Sequence, residues 1–248
     1  MSRGTQLRQR AASRPLLPPA LRRPALVLVT GCVAVTVFLA LAFVGQARPG
    51  ALDAAVDAPV RSGLGQYEEQ LRLLAQLGGL IPVTVLTAAP ILACLATRRL
   101  RGAALFGLAV PAAAALTEFV LKPLVGRTLR GYLCFPSGHT TTLVALAAAC
   151  AVLLAGPARP RLPGAARLLL VLGAALAAAA VATAMVARGY HYFTDTVAGT
   201  AVGIGVVLLT ALVIDWAALS WQPLRRAGDA PVTTAPDVRI ESPGPVGR

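Results

Sequence analysis

The chain predicts an all-α polytopic membrane protein, six transmembrane helices in one bundle with both termini cytoplasmic. Three observations carry this. Of 248 residues, 56% are apolar and only 13% are charged, whereas a soluble domain is nearer a quarter charged. The apolar residues fall into six runs, 25–45, 73–97, 102–121, 140–156, 168–187 and 196–214, each of the about 17–25 residues that a bilayer-spanning helix needs. The arginines gather in the tails and in alternate short turns between runs, the bias that orients membrane proteins.

Residues 1–23 hold Arg3, Arg8, Arg10, Arg14, Arg22 and Arg23 and no acid, which reads as a disordered cytoplasmic tail. The first apolar run is longer than a signal-peptide core and reads as an uncleaved anchor. Residues 46–72 mix acids with arginines and are expected as an external loop with a short surface helix near 67–74. The second run carries Pro82 and Pro90 as expected kinks and ends at the cationic turn Arg98, Arg99 and Arg101. The third contains Glu118 and is expected to stop at Lys122, because Pro123 disfavours helix in the residue before it. The fourth is followed by a Pro- and Arg-rich loop. The fifth is rich in alanine, which allows close helix approach. The sixth contains Gly199, Gly203 and Gly205 and is followed by Trp216 and Trp221 where interfacial aromatics belong. Residues 222–248 read as a second disordered tail. The domain reading is therefore a membrane catalytic unit over 24–221 between two cytoplasmic tails.

A net charge of +13 invites a nucleic-acid reading, but only 5% of residues are aromatic, too few for base stacking, and the cations follow membrane topology. No nucleic-acid partner is expected. Cys32, Cys94, Cys134 and Cys150 form no CxxC pair and no zinc spacing. Three lie in apolar runs as small fillers, and Cys134 reads as a small residue beside Phe135. No repeat of fixed period is present.

The charge bias places gaps 46–72, 122–136 and 188–195 on the external face. The latter two are basic against the trend, and an anionic substrate supplies a reason. The first of these two begins the stretch KPLVGRTLRGYLCFPSGH, with the only lysine, Lys122, and one of two histidines, His139. The second holds Arg188, His191 and Asp195. Pro136-Ser137-Gly138-His139 opens an apolar helix, and a helix N-terminus offers free N–H groups to an anion. Gly138 permits close approach of the backbone to a phosphate. Ser137 is either an N-cap or a donor to a phosphate oxygen. His191 and Asp195 stand at i, i+4, one face of a helix, where a carboxylate holds one ring nitrogen and leaves the other free to attack. The plainer reading is an interfacial His–Asp pair. Lys122, Arg127, Arg130 and Arg188 neutralise a phosphoryl group, or alternatively meet lipid headgroups. Glu118 is either a partner of Lys122, four residues on, or a buried protonated acid.

These residues resemble the type 2 phosphatidic acid phosphatase (PAP2) family, whose superfamily includes vanadium haloperoxidases and glucose-6-phosphatase. The family pattern is Lys, six residues, Arg-Pro; then Pro-Ser-Gly-His; then Ser-Arg, five residues, His, three residues, Asp. Lys122, Pro136 to His139, His191 and Asp195 match. Leu129 and Arg130 stand in place of Arg-Pro, and Ala184 and Met185 in place of Ser-Arg. Arg127 and Arg188 are expected to replace the two family arginines from shifted positions. The resemblance implies His191 as nucleophile, Asp195 as its orienting carboxylate and His139 as general acid, with Lys122, Ser137, Gly138 and the arginines on phosphate. It implies no metal or cofactor. The implied partner is a lipid phosphate or diphosphate held in the bilayer, hydrolysed through a phosphohistidine, at the extracytoplasmic face of a bacterial cell membrane. The alternatives are a lipid phosphotransferase with the same site and a non-catalytic scaffold on a degraded frame.

Overall fold

A computed structural model describes residues 15–156 and 162–220. The expected loop around Arg159 and Arg161 and the tails 1–14 and 221–248 lie outside those residues, in whole or in large part. The described chain is helical, in the order α1 (Pro19–Phe43), α2 (Ala51–Leu64), α3 (Glu68–Leu77), α4 (Leu80–Ala96), α5 (Leu100–Ala115), α6 (Lys122–Val125), the strands β1 (Thr128–Leu129) and β2 (Tyr132–Leu133), α7 (Gly138–Ala155), α8 (Gly164–Ala187) and α9 (Phe193–Ser220). Among the described residues, five helices are long and apolar enough to cross a membrane, or six if the bent pair 51–77 and 80–96 counts as one span.

Large apolar side chains cover the outside of the bundle. Val27 is 72% exposed, Phe38 70% and Leu169 69%, a surface that hydrocarbon solvates and water does not. The interior is built instead from small residues. α9 packs on α7, α1 and α5. Its Gly199 and Gly203 lie so close to α7 that an added methyl would stand 2.7 Å from the Ser137 and Thr141 carbonyl oxygens. Small residues four apart let helix backbones meet in this way, and van der Waals contact then holds them where no hydrophobic force acts between helices. Leu105, Phe106, Ala109 and Ala113 of α5 fill the remaining centre with no exposed surface.

The second span departs from the expected run 73–97. Its helix begins at Leu80, and the chain bends by 51° at Gly78 and Gly79. Two adjacent glycines are the weakest point for a continuing helix, and Pro82 then sits in the first turn, where its missing N–H costs nothing. Pro90 lies inside α4 without ending it. The expected external loop is consequently two helices, α2 and α3, laid across one end of the bundle. The third span also departs, because it does not stop at Lys122. Residues Leu116–Leu121 form a π-helical turn in which Lys122 N donates to Thr117 O. The chain stays helical through Pro123 to Val125 and ends at Gly126, φ +63°. Pro123 is accommodated because it is at the start of the new segment, where no N–H is required.

The far end of the bundle is pinned by a buried acid. Asp215 of α9 accepts from Leu16 N at 2.8 Å and Leu17 N at 2.9 Å, and Arg101 lies 3.5 Å away. Residues 15–23, expected as tail, thus include two buried leucines and the first turn of α1.

Candidate active site

All three motif segments meet at the other end of the bundle, under α2 and α3. Ser137 N donates to Asp195 O at 3.0 Å, joining the start of α7 to the start of α9. Ser137 is the N-cap of α7. Its buried Oγ accepts from Thr140 N and, at 3.1 Å, from Thr140 Oγ1. The capping reading therefore describes its geometry.

His191 is 6% exposed. Its Nδ1 lies 2.8 Å from the Cys134 carbonyl oxygen and 3.6 Å from Asp195 Oδ2. A carbonyl only accepts, so Nδ1 carries the ring hydrogen and Nε2 of the neutral imidazole keeps its lone pair. Sequence spacing pointed to Asp195 as the group that holds the ring. The shorter bond is made by the backbone of residue 134, and no side-chain pattern signals that. Asp195 remains beside the ring and is itself fixed. Its Oδ2 accepts from Tyr192 N at 2.9 Å, the reach-back of an N3 carboxylate to the start of its own helix. Its Oδ1 accepts from Arg127 at 2.6 Å.

Arg127 is not at the mouth of the site. It has no exposed surface. Its guanidinium donates to Asp195, to Thr194 Oγ1 at 2.8 Å and to Asp53, and it is stacked between the rings of Phe43 at 3.8 Å and Tyr192 at 4.2 Å. This placement conflicts with the expectation that Arg127 contacts phosphate. Both its charge partners are carboxylates inside the fold, and the two rings close its faces.

Asp53 and Asp57, read from sequence only as loop charges, are buried parts of this network. They stand at i, i+4 on α2. Asp53 accepts from Thr194 N at 2.9 Å and Asp57 from Phe193 N at 3.1 Å. The first turn of α9 is thus capped by carboxylates of another helix. The i, i+4 spacing was visible, but nothing in the sequence names the partner.

Lys122 and Glu118 form an ion pair of 2.8 Å at the start of α7, and a methyl at Gly138 would collide with the Glu118 carboxylate and stand 3.9 Å from Lys122 Nζ. A side chain at residue 138 would therefore have to displace the Glu118 carboxylate from its place beside Lys122. The hairpin that follows α6 turns at Arg130 and Gly131, both with positive φ, 51° and 83°, the conformation that a two-residue hairpin requires. Arg130 is exposed, and its guanidinium reaches over Gly189, where a methyl would stand 3.2 Å from Nη2. Arg188 donates to Glu68 O at 3.1 Å and to Tyr190 Oη at 3.2 Å.

His139 lies between two cavities and lines both. One, about 380 Å³, has Arg72, Ala75, Gln76, Met185, Arg188 and Tyr190 in its wall. The other is an apolar groove of about 630 Å³ between α4 and α5, running from Ile91 and Val110 up to Glu118, Gly138 and His139. Gly78, at the bend, packs directly on His139.

Burial raises the Cys134 thiol well above its ordinary value, and the neighbouring Asp195 carboxylate adds to this. Burial likewise raises the Tyr192 phenol. Among the described residues no group of three His, Cys, Asp or Glu is arranged to hold a metal ion.

The model of the PAP2 superfamily matches residues 23–218. No curated protein and no solved structure matches the chain. The family match covers both histidines and Asp195 and all but the outermost residues of the first and last spans, and the chain belongs to the PAP2 superfamily.

Proposed function

We propose that this protein is an integral membrane phosphatase that removes a phosphate from a lipid phosphate or diphosphate through a phosphohistidine at His191. The observation that carries the reading is the tautomer set at His191, with Nδ1–H on the Cys134 carbonyl and Nε2 left with its lone pair. Nε2 attacks phosphorus, and the bond from phosphorus to the leaving lipid oxygen breaks. His139 donates its proton to that oxygen. Water then attacks the phosphohistidine, His139 takes the water's proton, and phosphate leaves with His191 neutral again. Asp195, held in place by Arg127 and the Tyr192 amide, faces the positive charge that the imidazole gains.

Lys122, Arg130, Arg188 and the amide end of α7 at Gly138 supply the charge for the phosphoryl oxygens. Arg127 acts through Asp195 as a positioning residue. The apolar groove suits one hydrocarbon chain, with its polar end at His139, so the lipid lies in the bilayer while its headgroup meets the histidines. The charge bias of the turns supports a site on the extracytoplasmic face of the cell membrane with both termini in the cytoplasm.

The test is phosphate release in detergent, with EDTA present, from phosphatidic acid, phosphatidylglycerol phosphate and a polyprenyl diphosphate. Release from at least one lipid is expected, and its loss in His191→Ala. Undiminished release by that variant would overturn the mechanism. An added alcohol acceptor, if it captured the phosphoryl group in place of water, would convert the reading to a phosphotransferase.

A further inference from the structure

Two arginines that the PAP2 pattern supplies are missing, with Leu129 and Met185 at their positions. Met185 lines the smaller cavity beside His139, and so does Arg72 of α3, a helix that carries none of the three motifs. The geometry points to Arg72 as a substrate-anion residue. With Arg188 it forms a site for phosphoryl oxygens beside His139, on the side where Met185 cannot serve. The inference rests on the phosphatase reading for the identity of the anion.

Three observations support it. No carboxylate lines the cavity, while two guanidiniums do. Arg188 binds the carbonyl of Glu68 and lies 3.8 Å from its carboxylate, so the third-motif turn holds the start of α3 and fixes where the next turn, with Arg72, is presented. Among the described residues, Arg72 itself is held by Glu69, through bonds of 2.9 and 2.5 Å. Glu69 is 64% exposed. A solvent-exposed pair of this kind is worth little, so the fork is ready to exchange a carboxylate for a phosphoryl group. Glu69 is then a competitor of the substrate.

That competition gives the two partners opposite signs. Orthovanadate, a phosphate mimic, is titrated against the full-length protein in detergent, with thermal stabilisation as the readout. Arg72→Gln is expected to weaken vanadate binding about tenfold, Arg72→Lys to restore part of it, and Glu69→Gln to strengthen it. Where the wild type turns over a lipid phosphate, kcat/KM is expected to fall about tenfold in Arg72→Gln and to recover in part in Arg72→Lys. If Arg72 served only a structural ion pair, Arg72→Gln and Glu69→Gln would change the melting temperature alike and leave vanadate affinity unchanged, which overturns the inference. A wild type that vanadate does not stabilise overturns it too. Vanadate binding that depends on Arg72, in a protein that releases phosphate from no lipid, would remove the phosphatase reading and leave the anion site standing.

Discussion

Arg127 donates to Asp195 Oδ1 at 2.6 Å, and neither side chain has any exposed surface. An arginine expected to hold substrate phosphate instead holds the carboxylate behind the candidate nucleophile. The same guanidinium reaches Asp53, 74 residues earlier. It ties the α2 arm, the first-motif loop and the start of α9 into one buried ion cluster. Such a cluster is stable only while complete, because taking away one member leaves a charge buried without its partner.

Arg127→Ala is therefore expected to destabilise by about 3–5 kcal/mol, read as a large fall in the melting temperature in detergent. Arg127→Lys should rescue little, since one ammonium cannot reproduce the fork between two carboxylates. A variant that melts like wild type and shows only a raised KM would return Arg127 to the phosphate.

Asp53 and Asp57 should rank apart. Asp53→Ala strips Arg127 of a partner and frees Thr194 N, so a loss of about 3–5 kcal/mol is expected. Asp57→Ala mainly removes a cap from Phe193 N, at about 1 kcal/mol. Chemical denaturation of both variants checks the order, and equal losses would show that the cluster does not act as described.

Gly78 is a packing contact for His139. A methyl at residue 78 would stand 2.7 Å from His139 Cδ2 and 2.8 Å from its Cβ. Contact with Cβ cannot be relieved by turning the ring alone, so the side chain must move. Gly78→Ala is expected to lower kcat by about 10²-fold, the cost of a misplacement near 1 Å, with vanadate binding less affected. Unchanged kcat would separate His139 from the proton transfer.

Cys134 contributes its carbonyl to His191, and its thiol does not enter the chemistry. Cys134→Ala keeps the carbonyl and should keep activity within about twofold of wild type, the range in which a buried small-for-small exchange leaves a site intact. The raised thiol pKa leaves almost no thiolate at pH 8, and the thiolate is the reactive form. Maleimide is therefore expected to label Cys134 only after unfolding in detergent, as mass spectrometry of the peptide would show. Labelling of the folded protein at pH 8 would contradict the burial.

What the sequence determined is what depends on short-range repetition and on solvent. Runs of about twenty uncharged residues must be helical in hydrocarbon. The Ser137 cap and the Glu118–Lys122 pair follow from helix geometry within one turn, each as one of the two readings that the residues allow. Both recur in the structure, whereas His191 precedes α9, which starts at Phe193, so it does not share a helix face with Asp195 as the spacing predicted.

The tertiary structure decided which groups meet across the fold. The glycine pair at 78 and 79 broke a span that the hydropathy alone made continuous, and the π-helical turn carried another past Pro123. Arg127, Arg130 and Arg188 are alike as residues in basic gaps, yet packing buried the first between two rings, exposed the second and set the third in a cavity with Arg72. Carboxylates 141 and 136 residues away from the start of α9 became its caps. Periodicity fixes a residue's neighbours within a turn of helix. It says nothing of partners brought in by another helix, and the choice between substrate and scaffold for a buried charge depends on those partners.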